Sequence, residues 1–494
     1  MDQQTCPIDA GTDRSAPSSA TAGSRAGLLR GKHLVFLAIA AAAPLSLIAG
    51  FAPLGLKLAG AALPVGFLVP GILYGLFAVG FTAMARHIPG GGAFYAYIAQ
   101  GFGDAVGVGA ALLGYVGYLG CQIGFVAACG VFMSSALSGL FGLSVPVFVC
   151  ALVTSALVAV LGYRSVNVGA WVLGVLLSLE LGILAVFCTS VLIRGGREGL
   201  SLNSFSPSAF LTSGIASVFV LTFVAFVGFE QTTMYGEDVV DSRRTVPRAT
   251  YATIGLLTFV YTFCTWVIVQ ALGPSRLSGF HGSGASRLVF DLNSEFVGTT
   301  MTAVMQLLLV TSLFGGCLAM HNACSRYLLA LGQARILPKV LEKTSATTGT
   351  PSIAGITQAV LVSALIGAFA MTPADPYMQV VPWACSPTIV AVLVLQVLVS
   401  IAVIRFFSRC TYREGIWHRL IAPTLAAVGL AGVLLYVLVN LSYATGLSAA
   451  QNLMLLAPLP AVFVAGLLRG QWLRNHVAPE SDSGAQQLLK GDSL

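Results

Sequence analysis

Twelve runs of about 20 apolar residues, separated by short polar stretches, leave this chain few folds to choose from. They cover roughly residues 33–57, 64–85, 104–135, 144–162, 167–193, 209–235, 249–272, 298–331, 352–371, 378–404, 418–440 and 449–468. In lipid every backbone N–H and C=O must be bonded inside the protein, and runs of this length meet that demand as α-helices. Charged residues make up 9% of the chain and hydrophobic ones 56%, with a mean hydropathy of +0.88. That is too little charge to cover 494 residues in water. The expected fold class is all-α integral membrane, with about 12 transmembrane helices.

An even number of crossings puts both ends of the chain on one side. The tails and the loops on that side hold 20 of the 25 Lys and Arg, while the other side holds Lys57, Arg194, Arg197, Arg276 and Arg287. The positive-inside rule then predicts cytoplasmic N- and C-termini. The net charge of +7 therefore speaks to topology and not to nucleic acid. Residues 1–32 are rich in Ser, Ala and Gly without an early apolar h-region, and they predict a disordered cytoplasmic tail with no cleavable signal. Residues 471–494 read as a second cytoplasmic tail. The ten cysteines lie mostly within apolar runs and show no CxxC or Cys/His spacing, so neither a disulfide framework nor a metal or other cofactor is expected.

Two of the runs carry groups that lipid does not tolerate without help. The first has Pro44 near its midpoint, where proline deletes one i→i−4 bond and crowds the preceding turn. The sixth contains TFVAFVGFE, Thr222 to Glu230, with a glycine and a carboxylate near mid-depth. A charge at that depth costs at least about 2.5 kcal/mol unless it is paired or reaches a water-filled cavity. Gly228 lowers local helix preference by about 1 kcal/mol relative to alanine. Interrupted runs at matching places in two halves of a chain point to a transporter's binding site. The first and sixth runs match in this way if residues 33–193 and 209–404 are two repeats, leaving 405–470 as two additional helices.

Three segments in order resemble the amino acid–polyamine–organocation transporters, the amino acid permeases. HIPGGGAFYAYIAQGFG, His87 to Gly103, resembles the family's P-x-GG-x-Y-x-Y…G segment. FVGFEQTTMYGEDVVDSRRTVPRA, Phe226 to Ala249, resembles its GFE…E…NP-x-R-x-x-PRA segment. HNACSRYLLALGQARILPKVL, followed by Thr350-Pro351, resembles its SR-x-x-x-A-x-x-R-x-x-x-LP…TP segment. The chain departs from the family pattern in the first run, which offers Ala43-Pro44-Leu45-Ser46 where many members have a G-S/T-G triplet. Gln333-Ala334 stand near the usual Arg-Asp, and Asp241-Ser242 replace Asn-Pro.

The resemblance implies a transporter core at residues 33–404 with a 5+5 inverted repeat, helices 1 and 6 broken at mid-membrane, and a substrate site between spans 1, 3, 6, 8 and 10. Half-helix N-termini carry about +0.5 of partial charge and free N–H groups, which suit a carboxylate. The backbone at Ala43, Pro44, Leu45, Ser46 and Leu47 is expected to hold it. Carbonyls of Val224, Ala225, Phe226, Val227 and Gly228 would take the ammonium, with Phe226 or Phe229 as a gate. Tyr115, Tyr118 and Gln122 share helical spacing on the third run, and Tyr115 is a further lining candidate, although packing is the favoured reading of the tyrosines. Trp383, Ser386, His321 and Asn322 read as structural.

Glu180 lies at least eleven residues from either end of the fifth run, where family members often carry a lysine thought to stand in for a sodium. It reads as a proton-coupling or gating group, or as a carboxyl bonded to a neighbouring helix. Glu230 either couples occupancy to the sixth-run bend or caps the loosened backbone. Glu237 and Asp238, with Asp241 and the arginines at 243, 244 and 248, form a charge cluster that could latch the cytoplasmic gate, though exposed pairs of this kind contribute only about 0–1 kcal/mol. Arg326 of the third segment completes the gating set. Thr311, Ser312 and Ser325 are the hydroxyls the eighth run offers to a coupling ion.

These residues together predict a secondary active transporter of the plasma membrane, moving amino acids or related amines by alternating access as a proton symporter. Its partners would be that small-molecule substrate, H+ and the lipid bilayer. The alternatives are an amino acid/polyamine exchanger and, from another class, a membrane-embedded enzyme. A P-loop is absent, as are HExxH, paired aspartates, a GxSxG elbow and a TVGYG-like filter, so the sequence argues against ATP-driven pumping, enzymatic activity and channel function.

Overall fold

The computed structural model describes residues 34–35, 38–39, 42–88, 93–164, 170–210, 215–234, 241–282, 284–345, 350–409 and 414–476. The described residues are helical throughout, with no strand and one isolated antiparallel bridge between Thr344 and Pro351. In chain order the principal helices are α1 (Ala52–Ala59), α2 (Leu63–Ala85), α3 (Phe94–Phe102), α4 (Asp104–Phe141), α5 (Val147–Tyr163) and α6 (Ala170–Ile193). There follow α7 (Ile215–Val224), α8 (Gln231–Met234), α9 (Ser242–Leu272), α10 (Leu288–Phe296) and α11 (Thr299–Gln333). The last five are α12 (Ser352–Ala370), α13 (Val381–Arg409), α14 (Ala422–Val439), α15 (Ala449–Leu456) and α16 (Pro458–His476).

Among the described residues, nine helical stretches are long and apolar enough to cross a membrane, where the sequence predicts twelve. The difference has three physical sources. Ser46–Ala85 runs on as one stretch across two expected spans, turned only at Gly60, whose φ is +53°. α5 is apolar but 17 residues long. α7 ends after 10 residues, because the sixth run breaks at Ala225.

Local chemistry sets the ends of several helices. α4 stops at Gly142, a left-handed residue whose N–H bonds back to Ser138, while Leu143 N–H reaches Leu137, so the last carbonyls of the helix are satisfied. α15 starts from a reciprocal capping box between Ser448 and Gln451. The segment FYAYIAQGF folds as α3, an extra helix ahead of the third span.

Small residues let the helices approach closely. A Cβ built on Gly120 would stand 2.7 Å from the Ala384 carbonyl of α13, and one on Gly466 of α16 would stand 2.6 Å from the Cα of Gly109. These contacts bring α4 against both helices at backbone distance, the packing that membrane helices use in place of a hydrophobic driving force. Outward faces stay apolar and exposed, as at Ile193, Val428, Val439 and Leu453, and suit lipid as their neighbour. Inside, Glu180 and Glu230 are the two carboxylates buried among the described residues.

Candidate functional site

The chain ahead of α1 leaves helical geometry at Ala43, whose φ is +46°. A non-glycine residue is uncommon in that region. Pro44 supplies the cause, since its ring disfavours right-handed helix in the preceding residue and it has no N–H to return. Helix resumes as a wide π-helical turn, Ser46–Phe51, leading into α1.

The second interruption runs from Ala225 to Glu230, between α7 and α8. Here the i→i−4 ladder gives way to shorter bonds, Phe226 N–H to Phe223 O at 3.3 Å and Val227 N–H to Val224 O at 2.9 Å. Gly228 adopts φ +116°, which only glycine reaches without strain. Its N–H donates to Glu230 Oε2 at 2.9 Å. The other carboxylate oxygen, Oε1, accepts from the Tyr118 hydroxyl of α4. Glu230 therefore caps the break and is held from two sides.

Neighbouring hydroxyls take the carbonyls that these breaks release, as a dry interior requires. Tyr261 of α9 places its hydroxyl 3.2 Å from Ala42 O and 3.2 Å from Ala225 O, spanning both interruptions. Tyr74 of α2 donates to Phe223 O at 3.3 Å, and Thr233 to Glu230 O at 2.8 Å. On the far side of the π-helical turn, Tyr377 donates to Gly50 O at 2.7 Å. A separate chain joins α6 to the first break: Ser46 donates to Ser312 of α11 at 3.0 Å, and Ser312 to Glu180 Oε2 at 2.9 Å.

Between the two interruptions lies a small cavity of about 10 Å³, room for roughly one water. The first break and its turn contribute Ala42, Leu47 and Phe51. The second contributes Ala225 and Val227, with Leu221 and Val224 from α7. Cys121 and Phe125 of α4 and Cys385 of α13 close the remaining sides.

Of the residues the sequence singles out, Leu47, Val224, Ala225 and Val227 border this cavity. Ala43, Pro44, Leu45 and Ser46 are buried at the first break, and Gly228 at the second. Phe226 and Phe229 pack instead on Tyr74, ring centroids 5.4 and 5.1 Å away, in an aromatic cluster between α2 and α9. Tyr115 lies in a polar chain, donating to Gln358 Oε1 at 2.9 Å while Gln358 donates to Gln122 at 2.7 Å. His321 Nδ1 stands 3.5 Å from Gln122 Nε2, and Trp383 donates to Thr445 O at 2.8 Å. Arg326 is half-buried on α11. Asp241 and Arg244 form an exposed pair at 4.0 Å, and Glu237 and Asp238 lie outside the described residues.

Tyr74, Tyr261, Cys121, Phe125 and Cys385 were not picked out from the sequence. A lone tyrosine in an apolar run was the available signal for the first two. The eight cysteines among the described residues are free thiols, and no group of three or more His, Cys, Asp or Glu there could hold a metal ion.

A family model described as amino acid permease matches residues 33–472. An uncharacterized transporter of Mycobacterium tuberculosis is 24% identical over 307 residues, 62% of this chain and 66% of that protein, so the match falls just short of two thirds of the relative's length. The branched-chain amino acid permease BcaP of Lactococcus lactis is 22% identical over 63% of this chain and 69% of its own. Cationic amino acid transporter 7 of Arabidopsis thaliana is 24% identical over 61% of this chain and 54% of its own.

Proposed function

Because the chain belongs to the amino acid permease family, we propose that it is a secondary active transporter that carries amino acids across the plasma membrane by alternating access, in symport with protons. The reading includes twelve crossings in two inverted repeats, with both termini cytoplasmic. The observation that carries it is the small cavity between two interrupted helices, walled by α4, α7 and α13. The names of the relatives, a branched-chain permease and a cationic amino acid transporter, support an amino acid as cargo.

In this mechanism the substrate carboxylate meets the N–H groups that open the π-helical turn after Ala43, where the helix terminus favours negative charge. The ammonium faces the carbonyls of Ala42 and Ala225. Binding there draws on both interruptions at once, so the two half-helices move with the cargo. Glu180 senses that movement through Ser312 and Ser46, and a proton taken up or released at its carboxyl ties the cycle to the proton gradient. Glu230 keeps the second break in shape through Gly228 and Tyr118.

The test is uptake of labelled amino acids by proteoliposomes with and without an inward proton gradient. Accumulation that grows with the gradient is expected. Movement only when an amino acid is supplied on the opposite side would replace symport by exchange, and no movement of any amino acid would end the reading.

A further inference from the structure

We propose that an open groove between α2 and α9 binds an anionic phospholipid, with one acyl chain lying along the groove and the phosphate meeting Arg248 in the first turns of α9. The groove shares no wall residue with the cavity between the interruptions. The proposal goes beyond the transport reading and needs only that these helices lie in lipid.

The shape of the groove selects its occupant. Leu68 and Ile72 of α2 form one side, and α9 forms the other from Tyr251 to Trp266, a helical length of about 22 Å. Both helices belong to stretches long and apolar enough to cross a membrane, so the groove lies at bilayer depth. Its volume is about 590 Å³. Spread over that length, this leaves a mean section of about 27 Å², or about 5 Å across. One hydrocarbon chain fits, since its carbons sit about 4 Å from their neighbours. A helix, about 10 Å wide with its side chains, does not. The polar groups along the wall are turned away from it. Thr258 donates to Ile254 O at 2.7 Å, and Trp266 donates to Ser201 O at 2.9 Å. Phe259 and Phe263 stack with their rings 7° apart and make a flat apolar surface.

Charge marks the end of the groove near Tyr251. Arg248, Tyr251, Gly255, Phe259, Thr262 and Trp266 follow one another at steps of three and four residues, so they share one face of α9. The apolar stripe that walls the groove therefore continues into an exposed arginine at the membrane boundary. A cation in that position attracts anionic headgroups. Arg244, one turn earlier on the same face, is shared with Asp241 at 4.0 Å. The two helices also hold the interruptions from their inner faces, through Tyr74 to Phe223 O and through Tyr261 to Ala42 O and Ala225 O. They touch at Gly71, a groove residue on which an added Cβ would collide with Thr258. An acyl chain seated over this seam packs α2 and α9 from outside and braces the pair that grips both breaks.

The experiment places the full-length protein in vesicles containing phosphatidylglycerol with a diazirine on one acyl chain, and maps the photolabel by mass spectrometry. Label on residues 251–266 should exceed that on the lipid-facing side of α14 around Val428. Gly255→Phe fills the groove from a position where an added Cβ meets no atom within 4 Å. It should bring the α9 label down to the α14 level and leave α14 unchanged. Ile72→Trp, at a rim position 56% exposed, makes the same test should the first variant not fold. Arg248→Gln should lower phosphatidylglycerol label about fivefold, the scale of one juxtamembrane cation, and leave label from a phosphatidylcholine probe as it was. Phosphatidylglycerol added to delipidated protein in detergent should raise the midpoint of thermal unfolding in the wild type, and far less in Gly255→Phe. Equal label on α9 and α14, or a wild-type pattern in the filled variants, overturns the groove as a lipid site. Equal response of both probes to Arg248→Gln overturns the headgroup contact, and an equal rise in midpoint overturns the bracing. Label that falls as the protein is crowded in the bilayer gives the groove to a second copy instead. None of these readouts uses transport, so failure here and failure of the transport reading are told apart.

Discussion

Ser46, in the turn that follows the first interruption, donates a hydrogen bond to Ser312, 266 residues along the chain, at 3.0 Å. Ser312 passes the contact to Glu180, so a carboxyl on α6 is linked by two hydroxyls to the segment expected to hold the substrate's carboxylate. The link is short, buried and made of groups that exchange protons and hydrogen bonds readily, and it crosses from one proposed repeat to the other.

Glu180→Gln keeps the shape of this link and removes its ability to ionise. Wild-type uptake should rise as external pH is lowered and the inward proton gradient grows. In the variant that dependence should flatten while exchange of cargo across the membrane persists. Initial rates at a series of external pH values, with counterflow as the control, test it; full pH dependence in the variant would remove Glu180 from coupling.

Tyr261→Phe leaves Ala42 O and Ala225 O without their donor. An unmet buried carbonyl costs about 1–3 kcal/mol. The midpoint of thermal inactivation in detergent should fall, and transport with it. An unchanged midpoint would show that other groups hold the two breaks.

Gly228→Ala places a Cβ at φ +116°. Strain of about 1–3 kcal/mol at a special backbone conformation is the expected penalty. Uptake should drop sharply, whereas Gly75→Ala in α2, where an added Cβ meets nothing within 4 Å, should behave as wild type. The pair separates a conformational requirement from a general intolerance of added methyl groups.

Tyr118→Phe takes one donor from Glu230. Leaving a buried acceptor without its donor costs about 1–3 kcal/mol, so stability should fall by that order. Glu230→Gln in the same background, whose amide oxygen can still accept from the Gly228 N–H, should add little further loss. Thermal denaturation of the single and double variants measures the difference.

The interruptions were legible because they rest on single residues with strong backbone chemistry: Pro44 has no N–H, and Gly228 alone tolerates its dihedral angle. Side-chain direction was not legible. Phe226 or Phe229 read as a gate over the substrate, and in the structure both rings pack on Tyr74 in the α2–α9 aromatic cluster. Thr311, Ser312 and Ser325 looked alike in sequence; Ser312 faces Glu180, while Thr311 and Ser325 bond to carbonyls of their own helix. Tyr261 gave no warning, because a tyrosine packed among phenylalanines and one that bridges two backbone carbonyls have the same sequence context. Helix ends moved where local bonding overrode hydropathy, as where α3 folds ahead of the third span.

A phenol carries a single hydrogen. Tyr261 divides it between two oxygens 3.2 Å away, Ala42 O and Ala225 O, so the two interruptions share one donor. Any displacement of one interruption relative to the other must lengthen one of those two contacts, and a single side chain of α9 registers it.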